Sequence, residues 1–299
     1  MIRVANAPCS WGILEFERTV TPATYQQVIE EISRAGYAGT ELGDWGFMPT
    51  DASTLRHEIE RHGLQLIAAF VPVALAERAA HADGRETAVR TASLLRHAAG
   101  PEALIVLSDE NGRVPDREQN AGRITAHHGL DDPHWAIVAQ GAEAIATAVR
   151  DQAGLRTVFH PHCGGYVETE SEIDQLMQRT DPTLLGLCLD TGHITYAGGD
   201  PLAVLKRYTS RIWHVHFKDC DDAVASQARA MQLGYLAAVR NQLFCELGRG
   251  AVDFAKVVAT LQQIGYDGWI VVEQDVFPGY GAPQESARRS RDFLRGLGI

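Results

Sequence analysis

No apolar run in these 299 residues approaches the roughly 18 to 20 needed to cross a bilayer. No charged-then-apolar leader opens the chain, so neither export nor membrane insertion is expected. Basic residues are outnumbered: 27 Lys and Arg stand against 38 Asp and Glu, a net charge of −11. Nucleic-acid binders more often carry a basic face, so DNA and RNA are not expected partners. The five cysteines, Cys9, Cys163, Cys188, Cys220 and Cys245, are odd in number and widely spaced, with no CxxC pair. That pattern fits free thiols in a reducing cytoplasm rather than a disulfide framework. No glycine-rich phosphate fingerprint follows the first strand, which weakens the case for an open doubly wound sheet. No linker or low-complexity segment interrupts the chain, and one domain spanning 1–299 is expected.

What is present is a regular alternation of strands and helices on an ordinary apolar fraction of 45%. Strands are expected at Arg3–Ala7, Ala38–Leu42, Leu64–Val71 and Ala103–Asp109 in the first half. Leu155–His160, Gly186–Asp190, Ile212–Phe217 and Trp269–Glu273 continue the series. Helices are expected between them, the first opened by Thr21-Pro22 and the others near Thr54–Arg61, Glu86–Ala99, Trp135–Asp151, Glu170–Gln178, Pro201–Tyr208, Phe254–Gln263 and Gln284–Leu294. Glu110–Pro133 is expected to be a polar loop with solvent-facing His127 and His128, and about 220–245 a helical insertion. Eight strands alternating with helices is the count of a single (β/α)8 TIM barrel.

The chain is organised around Ile212-Trp213-His214-Val215-His216-Phe217-Lys218-Asp219. Side chains alternate along a strand, so His214, His216 and Lys218 share one face, and Trp213, Val215 and Phe217 share the other. Two imidazoles and an ammonium suit a metal or an anionic group; hydrogen-bonded core histidines are the plainer alternative. The other strand ends are equally rich. Glu41, Asp109, His160, His162, Asp190, His193, Glu273 and Asp275 all fall at or just past C-terminal strand ends, where a barrel gathers its functional side chains. Mixed oxygen and imidazole donors point to one divalent ion, Mn²⁺ or Co²⁺ ahead of Zn²⁺, Fe²⁺ or Mg²⁺.

Several motifs carry a resemblance. Cys188-Leu189-Asp190-Thr191-Gly192-His193, His214-Val215-His216-Phe217-Lys218-Asp219, Gly248-Arg249-Gly250-Ala251-Val252-Asp253-Phe254 and Val272-Glu273 resemble the xylose-isomerase-like TIM barrels. Those include sugar-phosphate isomerases and epimerases, endonuclease IV and inosose dehydratase. Asn6-Ala7-Pro8-Cys9-Ser10-Trp11-Gly12 and Gly39-Thr40-Glu41-Leu42-Gly43 are most similar to inosose dehydratase-like members. The resemblance implies a metal held by Glu, Asp, His and Glu from strands five to eight. Asp190, His216 and Glu273 match the last three positions. The first position reads His160, ahead of Pro161-His162. Either His160 is the fourth ligand or Glu168 swings in from the loop; His160 is favoured because it stands at the strand end, whereas Glu168 lies beside the helix cap at Thr169.

Losing the strand-five glutamate has a mechanistic consequence. The resemblance implies that isomerases and epimerases of this family work with two carboxylates, on strands five and eight, as paired acid and base, whereas an elimination needs one base, an electrophile for the carbonyl oxygen and an acid for the departing hydroxyl. Glu273 is the expected base, and His162, His193 or Lys218 the expected acid. Trp11 walls the substrate pocket or fills the barrel mouth. Arg249 reaches substrate or is a solvated loop residue; Glu41 binds a hydroxyl or pairs with a cation. Glu168 is counted with these as a candidate substrate contact, and Asp219 braces Lys218 or caps a turn. The expected function is therefore a metal-dependent lyase that dehydrates a small polyhydroxy ketone, a keto-cyclitol or keto-sugar. Isomerisation or epimerisation is the alternative. An endonuclease IV type of repair enzyme is disfavoured by the acidic charge, and a binding subunit without activity would lack metal. A homo-oligomer is compatible with the sequence.

Overall fold

The computed structural model describes residues 2–13, 23–277 and 281–299. Eight parallel strands close into a barrel: β1 (Arg3–Asn6), β2 (Gly39–Glu41), β3 (Gln65–Val73), β4 (Leu104–Asp109), β5 (Arg156–Phe159), β6 (Leu185–Asp190), β7 (Ile212–Phe217) and β10 (Trp269–Val272). Each pairs with its neighbour in chain order, and β10 closes on β1. Two further strands, β8 (Asp219–Cys220) and β9 (Phe244–Cys245), form a separate antiparallel pair at the mouth.

Local chemistry explains the helices. Asp253 caps Phe254–Gln263 by accepting the Lys256 amide, and Thr169 with Glu172 forms a capping box on Glu170–Arg179. The first described helix is Tyr25–Arg34, capped by Thr24, and the Thr21-Pro22 start falls outside the described residues. Strands buried on both faces are apolar almost throughout, as β3 and β4 show. Ala5, Ile67, Leu104, Val106, Val158 and Val271 fill the barrel interior. A larger shell seals the strands' outer faces against the helices, with Ile29, Leu95, Ile145 and Leu261 fully buried. Among the described residues no helix is long and apolar enough to cross a membrane.

Two expectations are corrected. The segment after β4 is not all loop: it carries the helix Pro115–Asn120 and a 3-10 turn at Ala126–His128. The insertion is not simply helical. Its helices Asp222–Ala230 and Tyr235–Arg240 hang from the β8–β9 pair, whose strands are two residues each and too short to leave an alternating pattern.

Candidate active site at the C-terminal barrel mouth

The predicted alternation of β7 holds from His214 onward, after a register shift against β6 at the start of the strand. Phe217 points outward, packing on Phe254 with ring centroids 4.9 Å apart, whereas Trp213 lies with the barrel-interior residues against the Gly186 position, which corrects its expected place on the outer face. His214, His216 and Lys218 point inward, and each is about 1% exposed. Register then supplies neighbours: Asp190 of β6 sits beside His216, and Val271 of β10 lies on its other side. Glu273 follows directly, its backbone amide donating to the Phe217 carbonyl at 3.0 Å.

His160, Asp190, His216 and Glu273 each place one donor atom so that all four lie within 4.8 Å of one another. Their supports come from other elements. Asp190 caps the helix Thr191–Tyr196: one oxygen accepts the His193 amide at 2.7 Å, and the other stands 3.3 Å from His160 Nε2. Glu41 of β2 accepts from His214 Nε2 at 2.8 Å and from His216 Nε2 at 3.0 Å on the same oxygen. Holding one imidazole nitrogen with a carboxylate aims the other inward, the arrangement that orients metal-bound histidines. His216 Nδ1 faces Glu273 Oε2 at 3.3 Å and Asp190 Oδ2 at 3.9 Å, yet makes no well-formed hydrogen bond. A buried ring nitrogen without a partner, ringed by carboxylate oxygens, is a position that a cation completes. His160 Nδ1 is likewise buried and without a partner. The donor set therefore fits a divalent ion.

Beside this group lies a charged pair. Lys218 Nζ is 3.1 Å from Glu273 Oε2 and 3.0 and 2.9 Å from the two oxygens of Asp275. Lys218 is held from behind as well: the Thr191 hydroxyl donates to its carbonyl and accepts its amide. Gly192 is required here, because a Cβ at that position would lie 2.6 Å from Lys218 Cγ. Burial alone would strip charge from both partners. Instead, the Asp275 and Glu273 carboxylates outweigh burial and hold the Lys218 ammonium well above its usual range. Burial is likewise outweighed at Glu273, where His216 and Lys218 keep the carboxyl well below the usual range. His162 differs. Burial, then the neighbouring His160 and Lys218, push it down to about 3, so it is a neutral imidazole at neutral pH. His193 is lowered by burial and by His162 in the same way.

The cavity above these groups encloses about 590 Å³ including its open mouth. Its walls include Cys9, Glu41, Phe70, His160, His162 and Lys218, with Glu273 and Asp275 at the base.

Not every expected residue reaches this cavity. Trp11 is buried on the outer side, its indole N–H donating to Glu31 Oε2 at 2.6 Å, which corrects its reading as a pocket wall. Arg249 is exposed and pairs with Glu246 at 3.2 Å, away from the cavity. Glu168 faces away too: its oxygens accept the amides of Gly122 at 2.7 Å and Gly164 at 2.9 Å, so it clips two loops together. His193 stands behind Lys218, with Nε2 3.1 Å from Nζ, and does not line the cavity. Asp109 turns to the amides of Leu75 and Tyr166. Asp219 caps the Gly248–Gly250 turn, accepting the amides of Gly248 and Gly250 at 2.9 and 2.8 Å. A Cβ on Gly250 would lie 2.3 Å from the Cys220 carbonyl, so glycine alone fits there.

Sequence reasoning missed four contributors. Phe70 lines the cavity from β3, and Asn111 reaches His162 Nδ1 at 3.1 Å. Tyr235 and Phe244 arrive from the insertion: the Tyr235 hydroxyl donates to Asp275 at 3.0 Å, and Phe244 lies under the Lys218 ammonium at 4.9 Å. Nothing in their local sequence marks them; only the insertion's position after β7 was a signal.

Comparison with known proteins adds to this geometry. A family model described as xylose isomerase-like TIM barrel matches residues 29–297. An inosose dehydratase from Lacticaseibacillus casei is 33% identical over 293 residues, covering 98% of this chain and 96% of that protein. One from Geobacillus kaustophilus (strain HTA426) is 32% identical, covering 98% of this chain and 93% of its own. Among solved structures, a D-allulose 3-epimerase from Methylomonas sp. superposes with a TM-score of 0.72 at 15% identity, covering 99% of this chain and 98% of its own. A probable 3-DHS dehydratase from Bacillus anthracis superposes with a TM-score of 0.70 at 15% identity, covering 98% and 99%. At such identities these structures speak for the fold alone.

Proposed function

The chain belongs to the xylose isomerase-like TIM barrel family of enzymes, and from that membership we propose that it is a metal-dependent lyase dehydrating a keto-cyclitol such as an inosose. The full-length similarity to inosose dehydratases supports the substrate class. The observation that carries the reaction type is the direct contact of Glu273 with Lys218 at 3.1 Å beside the His160–Asp190–His216–Glu273 group.

His160, Asp190, His216 and Glu273 would hold one divalent ion, and two imidazoles with two carboxylates suit Mn²⁺ or Co²⁺. When bound, that ion supplies a Lewis acid for the substrate's carbonyl oxygen. The rest falls to side chains. The Glu273 carboxylate, ionised at neutral pH, takes the proton from the carbon next to the carbonyl. The Lys218 ammonium gives a proton to the hydroxyl on the adjacent carbon, which leaves as water. One C–H and one C–O bond break, a C=C bond forms, and the proton on Glu273 returns to Lys218 across 3.1 Å, resetting both groups. Because base and acid touch, the proton and the hydroxyl depart from the same face of the ring. His162 is neutral and serves as a hydrogen-bonding wall rather than as the acid. Glu41 is assigned to hold His216 rather than a substrate hydroxyl.

An epimerase would need a second carboxylate opposite Glu273, and the strand-five position holds His160 instead. The test is a panel of keto-inositols and keto-sugars with Mn²⁺ or Co²⁺, followed by ultraviolet absorbance and NMR. A conjugated enone supports dehydration; a new sugar isomer without enone would replace it with epimerisation. Lys218→Met is expected to lose more than about 100-fold in kcat, the span typical of general acid–base catalysis. The same reading places the enzyme, as one domain over 1–299, in the cytoplasm, where its five unpaired cysteines stay reduced.

A further inference from the structure

We propose that the Lys218 ammonium fills a second cation position, one whose side chains, Cys9, Glu273 and Asp275, would otherwise take a second divalent ion beside the first. Donor atoms of Cys9, Glu273 and Asp275 lie within 4.8 Å of one another, and Glu273 is shared with the His160–Asp190–His216 group. The ammonium sits among them as a built-in ion. Both Asp275 oxygens accept from it at 3.0 and 2.9 Å, Glu273 stands at 3.1 Å, and His193 Nε2 lies at 3.1 Å. Phe244 presents its ring 4.9 Å below, a favourable place for a cation. The Tyr235 hydroxyl fixes Asp275 at 3.0 Å. Two carboxylates as buried as Glu273 and Asp275 require a neutralising positive charge.

An ammonium and a metal ion at this point do different chemistry. A second ion could polarise a substrate oxygen but could not hand it a proton. Lys218 offers a proton at that position, so the nuclearity of the site and its acid are decided by the same residue. Cys9 is the marker of the alternative. Its sulfur lies within 4.8 Å of a carboxylate oxygen of both Glu273 and Asp275. A divalent ion in place of Lys218 would draw it into ligation as thiolate.

This inference rests on His160, Asp190, His216 and Glu273 being the first metal site, and does not depend on the substrate. The experiment is titration of the full-length protein with a cobalt(II) salt, following stoichiometry and near-ultraviolet thiolate-to-cobalt charge-transfer absorption. Wild type is expected to take one equivalent without that absorption. Lys218→Met and Lys218→Gln are expected to take a second equivalent with it, and the absorption should vanish when Cys9→Ser is added. Lys218→Arg keeps the positive charge and should remain at one equivalent. Lys218→Gln still donates to Asp275, so it covers the case in which Lys218→Met fails to fold. A second equivalent with thiolate absorption in wild type would overturn the proposal. So would folded neutral variants that stay at one equivalent. If wild type bound no cobalt while the neutral variants bound one equivalent through Cys9, the first metal site would fall and the second would stand. Binding in none of them would overturn both.

Discussion

Glu41 shows how much one residue away from the reacting atoms can set. Its single oxygen receives both His214 and His216, so Nδ1 of His216 faces Asp190 and Glu273. Burial opposes its charge, but the His216 charge and the two hydrogen bonds bring its carboxyl down to about 2. It stays an anion across the working range and keeps an N–H, not a lone pair, on His216 Nε2. Glu41→Gln is expected to weaken metal binding about 10- to 100-fold, the usual cost of removing such a support. Metal titration checks it, and unchanged affinity would return Glu41 to a substrate role. The same measurement separates His160 from Glu168. His160→Ala should lose metal together with Asp190→Ala and His216→Ala, whereas Glu168→Gln should keep it. Loss in Glu168→Gln with His160→Ala unaffected would move the fourth position to Glu168. The sequence already marked Asp190, His216 and Glu273 by strand-end position. It could not mark Tyr235 or Asn111, whose partners are fixed by distant chain crossings.

Elements were legible where their signal is local. Phe254–Gln263 was read to the residue, because the Asp253 cap, the apolar spacing and the Gly265 stop all lie within one short stretch. The segment after β4 was not, because its order comes from elsewhere. Arg117, 1% exposed, forks onto Glu172 at 2.7 and 3.0 Å and donates to the Gly165 carbonyl at 2.8 Å, tying that segment to the helix Glu170–Arg179. Arg117→Ala leaves the Glu172 carboxylate buried without its partner. It is expected to cost about 3–5 kcal/mol, read by urea denaturation. Arg117→Lys keeps the charge but not the planar fork, so it should recover only part of that loss. Full recovery by lysine would mean that charge alone holds the segment.

At the scale of the whole molecule, two buried carboxyls away from the cavity couple stability to pH. Burial pushes Asp109 up to about 6 and Glu168 up to about 7, each despite two or more backbone amides that favour the anion. Both bind more protons folded than unfolded between about pH 4 and 7. Their contribution is therefore full in acid and is lost as pH rises through 6 to 7. Glu168→Gln removes one of these titrations. It should flatten the fall in metal-free stability between pH 5 and 8, measured by urea denaturation at each pH; an unchanged slope would show that Glu168 does not titrate there. The sequence by itself determined the barrel, because periodicity, caps and strand count are properties of short segments. It also determined which residue types stand at the strand ends. Only the tertiary structure decided which of them meet. Glu41 and His214 are 173 residues apart in the chain, and their contact follows from closure and register of the sheet. The exclusion of Glu168, Trp11 and Arg249 from the cavity has the same origin: side-chain direction at a loop depends on which backbone amides and carboxylates the fold brings within reach.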